Sequence, residues 1–382
     1  MFCKHRKALP LAIAFVLART AITLADSPEP PQKMLQAEAK RIAVAQLKLL
    51  GKGYQARFDA NRRLIYISAL DDEHFDETAA LLACFTDALR KTLLPTPLPW
   101  NVTVVLPTTE DYKTLAPAEG ISGFYRPAER TLISVDRGRV LLHEFTHALH
   151  HADAFSAKQE HPVWVCEGLA SLFEASEISE HGLRPRTDRR LLKLQEAVRK
   201  KTSIPLDRLV KMGRKKFHSD AELCYAEARY LMLYLCEKQS LKRWYEAFKA
   251  DYETDPTGLK SLEKILGNRV FAIEDDWKKW VKGLRVPWGE AASSQGRLGI
   301  EVHDAADGVK IVGLVPGGAA ERAGRLKVGD VIVKFNGHEI SNPADLVGAI
   351  RAAGAMQTVT VEIIRHGNRK QIRQPLGSAK SG

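Results

Sequence analysis

The hydrophobic pattern of the first 285 residues alternates between helical and strand spacing. Apolar positions three or four residues apart predict amphipathic helices, and short runs rich in β-branched residues predict strands. In chain order the predicted elements are a helix at 34–50, strands at 54–58 and 63–68, a helix at 76–93, a strand at 100–106, a hairpin of 121–125 with 131–135, and helices at 140–151 and 163–176. From 188 to about 284 the pattern is mostly helical. These elements predict an α+β fold, in which a small mixed sheet is joined to a helical subdomain.

The pattern changes near Val286. Residues 286–296 are rich in Gly, Ser and Ala and contain a Pro, a composition typical of a linker. From Arg297 onward short strands alternate with turns, and Asn336-Gly337 is a typical hairpin turn. We therefore expect two folded domains, at 33–285 and 297–376, of which the second is rich in β-structure. A length of 382 residues fits this division, because single cores rarely grow beyond about 250–300 residues.

The first 25 residues have the pattern of a secretory signal peptide. Lys4 to Lys7 form a basic start, Ala8 to Ala18 form an apolar run, and Thr23-Leu24-Ala25 supplies small residues for cleavage before Asp26. The apolar run is shorter than the roughly 20 residues that a membrane-spanning helix needs. We therefore expect an exported protein, periplasmic or extracellular, with no stable membrane span after cleavage of residues 1–25. An uncleaved anchor is the alternative.

The composition is that of a soluble globular protein, with 45% hydrophobic and 27% charged residues, and the formal net charge is +11. A basic balance is compatible with a nucleic-acid partner. However, the basic runs Arg199-Lys200-Lys201 and Lys211 to Lys216 are short, and such stretches are usually solvated faces. We therefore do not expect this protein to bind nucleic acid.

His143 and His147 form a pair four residues apart within an apolar run. On a helix this spacing puts both imidazoles on one face, where they can hold one Zn²⁺. Glu144 would then lie beside the ion and could take a proton from a bound water. Two His and a Glu among apolar neighbours would be costly without a ligand, which favours a catalytic zinc site over incidental surface residues.

A catalytic zinc usually has three protein ligands, so a third ligand must come from elsewhere in the chain. Glu167 is the first candidate, because its neighbours from Val163 to Ala170 are apolar and a carboxylate there needs a partner. Glu174 lies two helical turns further on the same face and is the reserve, either as a ligand or as an acceptor for a ligand imidazole. Asp153 would be the third ligand of the longer metzincin pattern, but that pattern needs Gly where this chain has His150.

The motif His143-Glu144-x-x-His147, followed by Pro162-x-Trp164-x-x-Glu167-Gly168-Leu169-Ala170, resembles the gluzincin metallopeptidases, especially the peptidase-MA-like families of bacteria. The segment Tyr225-Ala226-Glu227-Ala228 and a closing helix with Trp277 and Trp280 fit the same resemblance, which covers about residues 50–284. The resemblance implies a zincin-like metallopeptidase domain at 33–285, a hydrolytic water on the zinc, and peptide substrates.

The same resemblance implies roles for residues outside the metal ligands. An edge strand before the metal-binding helix, either 121–125 or 131–135, would bind the substrate backbone as an added strand, and Gly123 would allow close approach. Tyr225 would donate a hydrogen bond to the oxyanion of the tetrahedral intermediate. The alternative for Tyr225 is a core tyrosine whose hydroxyl is already hydrogen-bonded.

The second domain closely resembles the PDZ domains associated with bacterial proteases. The resemblance rests on Pro316-Gly317-Gly318-Ala319-Ala320, on Ala323-Gly324 and on Val328-Gly329-Asp330-Val331-Ile332. It implies that an extended peptide binds along the strand after Leu298-Gly299-Ile300, where backbone N–H groups would hold a terminal carboxylate. The helix at 343–353 would form the other wall of the groove. A PDZ fold that only packs against the first domain is the alternative.

Together these features predict an exported zinc-dependent peptidase whose PDZ domain recognises a substrate or a partner. His143, His147 and Glu167 would bind Zn²⁺, and Glu144 and Tyr225 would be catalytic. The alternative function is that of a catalytically silent, PDZ-containing peptide-binding protein in which the metal is structural or absent.

Overall fold

The computed structural model of the chain describes residues 32–118, 120–285, 298–305, 307–353 and 358–377. The predicted signal peptide and the predicted linker at 286–296 lie outside the described residues. Among the residues that the structure describes, no helix combines the length and the hydrophobicity that crossing a membrane requires.

A mixed five-stranded sheet lies at the centre of the first domain. Its strands are β1 (Gln55–Asp59), β2 (Leu64–Ser68), β3 (Val102–Leu106), β4 (Gly123–Arg126) and β5 (Thr131–Ser134), in the order β1-β2-β3-β5-β4. β2, β3 and β5 are parallel to one another, and β1 and β4 are antiparallel edge strands. Every residue of β2 and β3 is buried, which explains their nearly continuous apolar sequences.

Helices cover both faces of this sheet. They are α1 (Gln32–Leu50), α2 (Asp72–Thr92), α3 (Thr109–Leu115), α4 (Arg139–Ser156) and α5 (Val163–Phe173). Ile65 and Ile67 of β2 pack with α1 and α3 on one face, whereas Leu64 and Tyr66 of the same strand pack into the larger core with α2 and α4. This alternation places α4 directly against the edge strand β4.

A helical subdomain follows α5. It begins with a hairpin of β6 (Ser176–Ser179) and β7 (Gly182–Pro185), and continues with α6 (Arg190–Lys200), α7 (Leu206–Leu209), α8 (Arg214–Ser219), α9 (Ala221–Glu237), α10 (Leu241–Ala250), α11 (Leu259–Leu266) and α12 (Val270–Gly283). α9 is its central helix, because α5 to α8, α10 and α12 all pack against it. Trp244 and Trp277 are fully buried, as expected of core anchors, and Trp280 is half-buried.

The C-terminal domain has its own sheet and its own hydrophobic core. Its elements are β8 (Ile300–Ala305), β9 (Gly308–Leu314), α13 (Ala319–Ala323), β10 (Val331–Phe335), β11 (His338–Glu339), α14 (Pro343–Ala353), β12 (Thr358–Arg365) and β13 (Asn368–Pro375). The strand order is β13-β12-β10-β9-β8, and β11 pairs with β10. The mixed α+β architecture and the β-rich C-terminal region are therefore confirmed.

Candidate metal centre

The three predicted metal ligands are brought together by the packing of α4 against α5. His143 and His147 lie on α4, and Glu167 lies on α5. α4 begins where Asp136 accepts hydrogen bonds from the backbone N–H groups of Gly138 and Val140, at 2.8 and 3.1 Å. A side-chain carboxylate at this position satisfies N–H groups that have no partner within the helix, so it fixes where α4 starts.

The ligand atoms form a nearly equilateral triangle. His143 Nε2 lies 3.1 Å from His147 Nε2, and Glu167 Oε2 lies 3.4 Å from the first nitrogen and 3.3 Å from the second. Tetrahedral zinc with bonds of about 2.0–2.1 Å holds its ligand atoms about 3.4 Å apart. Among the described residues, this is the one group of three or more His, Cys, Asp and Glu side chains that converge closely enough to bind a metal ion.

The chemistry of the triangle also fits a cation. Glu167 is 4% exposed, and its Oε2 atom makes no aligned hydrogen bond. A buried carboxylate oxygen without an aligned hydrogen bond is costly, and a cation placed among the three ligand atoms would satisfy it. Each imidazole presents Nε2 to the same point, next to the carboxylate oxygen of Glu167. These residues fit a zinc ion.

A chain of charged groups fixes the ring of His143 from behind. Its Nδ1 lies 2.8 Å from Glu174 Oε2, and Glu174 Oε1 lies 2.5 Å from Arg190, which also binds Asp188 at 2.8 Å. If Nδ1 donates to Glu174, Nε2 is left with its lone pair toward the triangle. Glu174 is therefore placed as the acceptor for a ligand imidazole, one of its two predicted roles, and it is not part of the triangle.

Burial and neighbouring charges shift the pKa values of these groups. Burial alone would lower the pKa of His143, but its contacts with the carboxylates of Glu167 and Glu174 raise it to about 10. Burial alone would raise the pKa of Glu167, but His147 and His143 hold it well below its usual range. A metal-bound imidazole must be neutral at the nitrogen that binds, so a divalent cation at this site would compete with protons for the nitrogens of the triangle.

The two predicted catalytic residues lie on α4 and α9. Glu144 is half-buried on α4, and its charge acts on His143 and on Tyr225. Tyr225 projects from α9, and its ring stacks on that of His143 with 6.2 Å between centroids. Burial, followed by the charge of Glu167, holds the pKa of the Tyr225 hydroxyl well above its usual value. This hydroxyl is therefore protonated at neutral pH and can donate a hydrogen bond.

The strand before the metal-binding helix lies at the edge of the sheet. Of the two predicted segments, β5 is paired on both sides, and β4 has a free edge. The space where a Cβ of Gly123 would lie is filled, because an added Cβ would lie 2.8 Å from Val140 Cγ1 and 2.9 Å from Ser134 Oγ. Gly123 therefore allows β4 to approach α4 closely, and its role in the approach of a substrate backbone along the free edge of β4 stays a prediction.

Asp153, the alternative third ligand, lies apart from the triangle. Its carboxylate accepts hydrogen bonds from Tyr245 at 2.8 Å, from Lys249 at 2.9 Å and from Thr96 at 3.1 Å. Close to it, His150 and His161 are buried and lie 2.8 Å apart through Nε2 and Nδ1. Asp153 thus belongs to a buried polar cluster that anchors the C-terminal half of α4.

The predicted peptide groove of the second domain runs between β8 and α14. β8 is an edge strand of its sheet and packs against α14. Leu298 is buried, Gly299 has φ +69°, and Ile300 is the first residue of β8. The carbonyl group of Leu298 accepts a hydrogen bond from the N–H of Ala320 at 2.7 Å, which holds this turn against α13. The carbonyl group of Gly299 accepts one at 2.9 Å from the N–H of Val315, directly after β9.

Two family models match this chain. Residues 296–376 match the PDZ domain, so the predicted PDZ domain is present. Residues 139–252, which contain the whole candidate metal centre, match a family described as "Protein of unknown function (DUF1570)". No curated protein matches this chain.

Solved structures of bacterial proteases share a limited likeness with this chain. An "HtrA-type protease AlgW with decapeptide" is 22% identical over 23% of this chain and 30% of that chain, with a TM-score of 0.22. A "serine endoprotease from Yersinia pestis" is 21% identical over 29% of this chain and 36% of that chain, with a TM-score of 0.21. This chain therefore spans about a third of the length of these structures.

Proposed function

We propose that this protein is an exported zinc-dependent peptidase of the gluzincin type, with a zincin-like first domain and a PDZ domain that binds a substrate or partner peptide. The observation that carries the proposal is the triangle of His143, His147 and Glu167, in which a buried carboxylate oxygen without a hydrogen-bond partner meets two imidazole nitrogens. Zinc in such a site supplies a Lewis acid that polarises a carbonyl group and lowers the pKa of water.

Glu144 carries the proton in the proposed reaction. Its carboxylate accepts a proton from the attacking water as the water oxygen bonds to the carbonyl carbon of the substrate. It then donates that proton to the amide nitrogen as the C–N bond breaks, so that an amine leaves and Glu144 is ionised again. General base catalysis of this kind contributes about 10²–10⁴-fold to a rate.

Tyr225 and β4 orient the substrate in this proposal. The Tyr225 hydroxyl, which stays protonated at neutral pH, donates a hydrogen bond to the developing oxyanion. The free edge of β4 pairs with the extended substrate backbone next to α4. The substrate is then held on the side of α4 that carries His143 and Glu144.

Metal analysis combined with digestion of a peptide library tests this function. The wild-type protein is expected to hold about one zinc per chain and to cleave peptides, whereas Glu144→Gln should keep the zinc and lose activity by about 10²-fold or more. Glu167→Gln should lose the zinc itself. Glu110→Gln, an exposed change on α3, is the matched control and should behave as wild type.

If the wild-type protein binds zinc but cleaves nothing in the library, the peptidase proposal is wrong. The alternative function, a catalytically silent PDZ protein that binds peptides, would then be favoured. Equal activity of wild type and Glu144→Gln would remove Glu144 from the mechanism.

A further inference from the structure

Nearly all of the net charge of this protein comes from one short stretch of the chain. Residues 184–216, here called the basic segment, contain thirteen Lys and Arg but three Asp and Glu, which gives a net charge of +10 in a chain whose total is +11. The individual runs within the segment are short, and for that reason the sequence pattern alone favours a solvated face. The fold changes this interpretation.

The basic segment forms one folded unit at the surface. It runs from β7 through α6 and α7 into α8, and α6, α7 and α8 all pack against α9. Eleven of its thirteen basic side chains are exposed: Arg184, Arg189, Lys193, Arg199, Lys200, Lys201, Arg208, Lys211, Arg214, Lys215 and Lys216. Among the described residues, no carboxylate lies within ion-pair distance of Lys215 or Lys216.

Both ends of the basic segment lie at the candidate metal centre. At its start, Arg190 binds Glu174, which in turn contacts the ring of His143. Just after its end, the buried Phe217 packs 5.6 Å from the ring of Tyr225, and the exposed His218 lies 6.1 Å from that ring. The first part of the segment, at Arg190, and the residues just after its end therefore both lie close to the candidate metal centre.

The packing of α8 provides a further link between the segment and the centre. α8 contacts α5, the helix that carries the candidate ligand Glu167. The exposed Arg214, Lys215 and Lys216 of α8 therefore lie on an element that touches the centre. An anionic chain bound to these side chains would lie close to the centre.

We propose that the substrate of this centre is an acidic polypeptide, whose Asp and Glu side chains bind the basic segment while a neighbouring peptide bond lies at the metal centre. This inference rests on the proposed peptidase function. A surface of this charge raises the local concentration of an anionic chain and speeds its association. Because Phe217 fixes α8 next to Tyr225, the attraction acts on residues close to the cleaved bond.

A polypeptide fits the segment better than single-stranded nucleic acid does. Proteins that hold single-stranded nucleic acid stack its bases on exposed aromatic side chains. The basic segment contains no Phe, Tyr or Trp, and Phe217, which follows it, is buried. A peptide needs only the charge that the segment supplies.

The test measures binding to full-length Glu144→Gln, which traps a substrate without turning it over. The probes are fluorescent peptides in which Gly and Ser alternate with Glu, or with Gln or Lys in its place, all amidated at the C-terminus so that the PDZ groove does not hold a carboxylate. The Glu peptide should bind at least about tenfold more tightly than the Gln peptide at low ionic strength, and added salt should reduce this preference.

Charge reversal locates the binding surface. In the Glu144→Gln background, Lys215→Glu with Lys216→Glu should weaken binding of the Glu peptide by about tenfold or more. Lys242→Glu with Arg243→Glu on α10 makes the same change in net charge at exposed positions outside the segment and should leave binding unchanged. Equal weakening by both double variants would overturn the inference, because net charge alone would explain it.

Other outcomes separate this inference from the proposed function. Equal binding of the Glu and Gln peptides overturns the inference, and so does tighter binding of a DNA duplex or of anionic lipid vesicles than of the Glu peptide. Cleavage by wild type without preference for acidic sequences also overturns it, but leaves the peptidase proposal standing. Selective binding of the Glu peptide by a protein that cleaves nothing supports the segment as a polypeptide-binding surface and removes the proposed function.

Discussion

Three buried glutamates show how the hydrogen bonding and the pKa of the same side chain depend on its neighbours. Glu167 has an oxygen without an aligned partner and faces two imidazoles, while Glu174 binds both His143 and Arg190. Glu227 on α9 is fully buried, and its Oε1 accepts a hydrogen bond from the N–H of Ile204 at 2.8 Å. Burial, partly offset by this hydrogen bond and increased by the charge of Glu274, raises the pKa of Glu227 to about 8.

Glu227 should make the stability of the protein depend on pH. Its carboxyl titrates near 4.5 in the unfolded chain and near 8 in the fold, so between these values the folded protein binds more protons. The free energy of unfolding therefore falls as the pH rises through this range. Glu227→Gln cannot ionise and should be more stable than wild type at pH about 8.5, on the order of a few kcal/mol, but not at about pH 5.

Urea denaturation at both pH values measures this difference. The exposed Glu253→Gln is the control and should follow wild type. If the free energy of unfolding changes by the same amount in wild type and Glu227→Gln between the two pH values, Glu227 does not cause the pH dependence and the prediction is wrong.

At the residue scale, the candidate ligands and Glu174 were predicted from sequence, whereas Arg190, which binds Glu174, was not. His143 and His147 stand four apart in an apolar helix, and Glu167 stands in an apolar run, so each is conspicuous in the sequence. Arg190 looks like an ordinary surface residue among other basic residues. Its bond to Glu174 exists because α5 and α6 both pack against α9, and such tertiary contacts leave no local periodicity.

At the scale of elements, the centre depends on the close crossing of α5 and α9. Gly168, next to Glu167, faces α9 at this crossing, and an added Cβ would lie 3.1 Å from Met232 Cγ and 3.2 Å from the carbonyl oxygen of Ala228. A backbone oxygen cannot move out of the way as a side chain can. The crossing sets the position of Glu167 relative to Tyr225.

Gly168→Ala should therefore push α5 away from α9. We expect a loss of about 1–3 kcal/mol in stability from overpacking and a weaker zinc site, because Glu167 moves with α5. Thermal unfolding and a competitive zinc titration measure the two effects. Gly283→Ala at the end of α12 is the matched control, since nothing lies within 4 Å of its added Cβ. If Gly168→Ala is destabilised but keeps the zinc affinity of wild type, the crossing of α5 and α9 does not determine the position of Glu167.

The long elements and most strands of the first sheet were predictable from sequence, and some short elements were not. The predicted helices at 140–151 and 163–176 correspond to α4 and α5, although α4 extends to Ser156 and α5 ends at Phe173. The hairpin of β6 and β7 and the helix α3 were not predicted. The four-residue strands β4 and β5 were predicted because β5 and its surroundings are rich in buried apolar residues, whereas β6 alternates exposed and half-buried residues and β7 depends on packing against α2, far away in sequence. The seven residues of α3 contain too few positions for a periodic pattern.

At the scale of the whole molecule, the PDZ domain is a separate unit with its own core. Its groove depends on Gly299, which has a φ of +69° that residues with a side chain adopt only with strain. A Cβ added to Gly299 would also lie 2.8 Å from the Cα of Gly318. The turn that would hold a peptide carboxylate is thus built on two glycines in contact.

Gly299→Ala should deform this turn and weaken binding of peptides with a free C-terminus by about tenfold or more, since the N–H groups that would hold the carboxylate are displaced. Fluorescence polarisation with free and amidated peptides measures the effect. Cleavage of short amidated peptides by Gly299→Ala should be unchanged. The control Lys370→Ala, at an exposed position, should keep both the peptide binding and the cleavage of wild type. Equal binding of free and amidated peptides by wild type would show that this groove does not recognise a terminus.

The three candidate ligands lie between His143 and Glu167, within two consecutive helices. A chain that has formed only α4, α5 and the turn between them already carries the full ligand set. Bringing α4 and α5 together closes a short loop. The pairing of the parallel strands β2 and β3 closes a longer one that contains α2, and it therefore costs more conformational entropy. If the proposed zinc binds, an ion captured at this stage would join the two helices before the sheet is complete, so the supply of metal while the chain folds would influence how much of this protein reaches its native state.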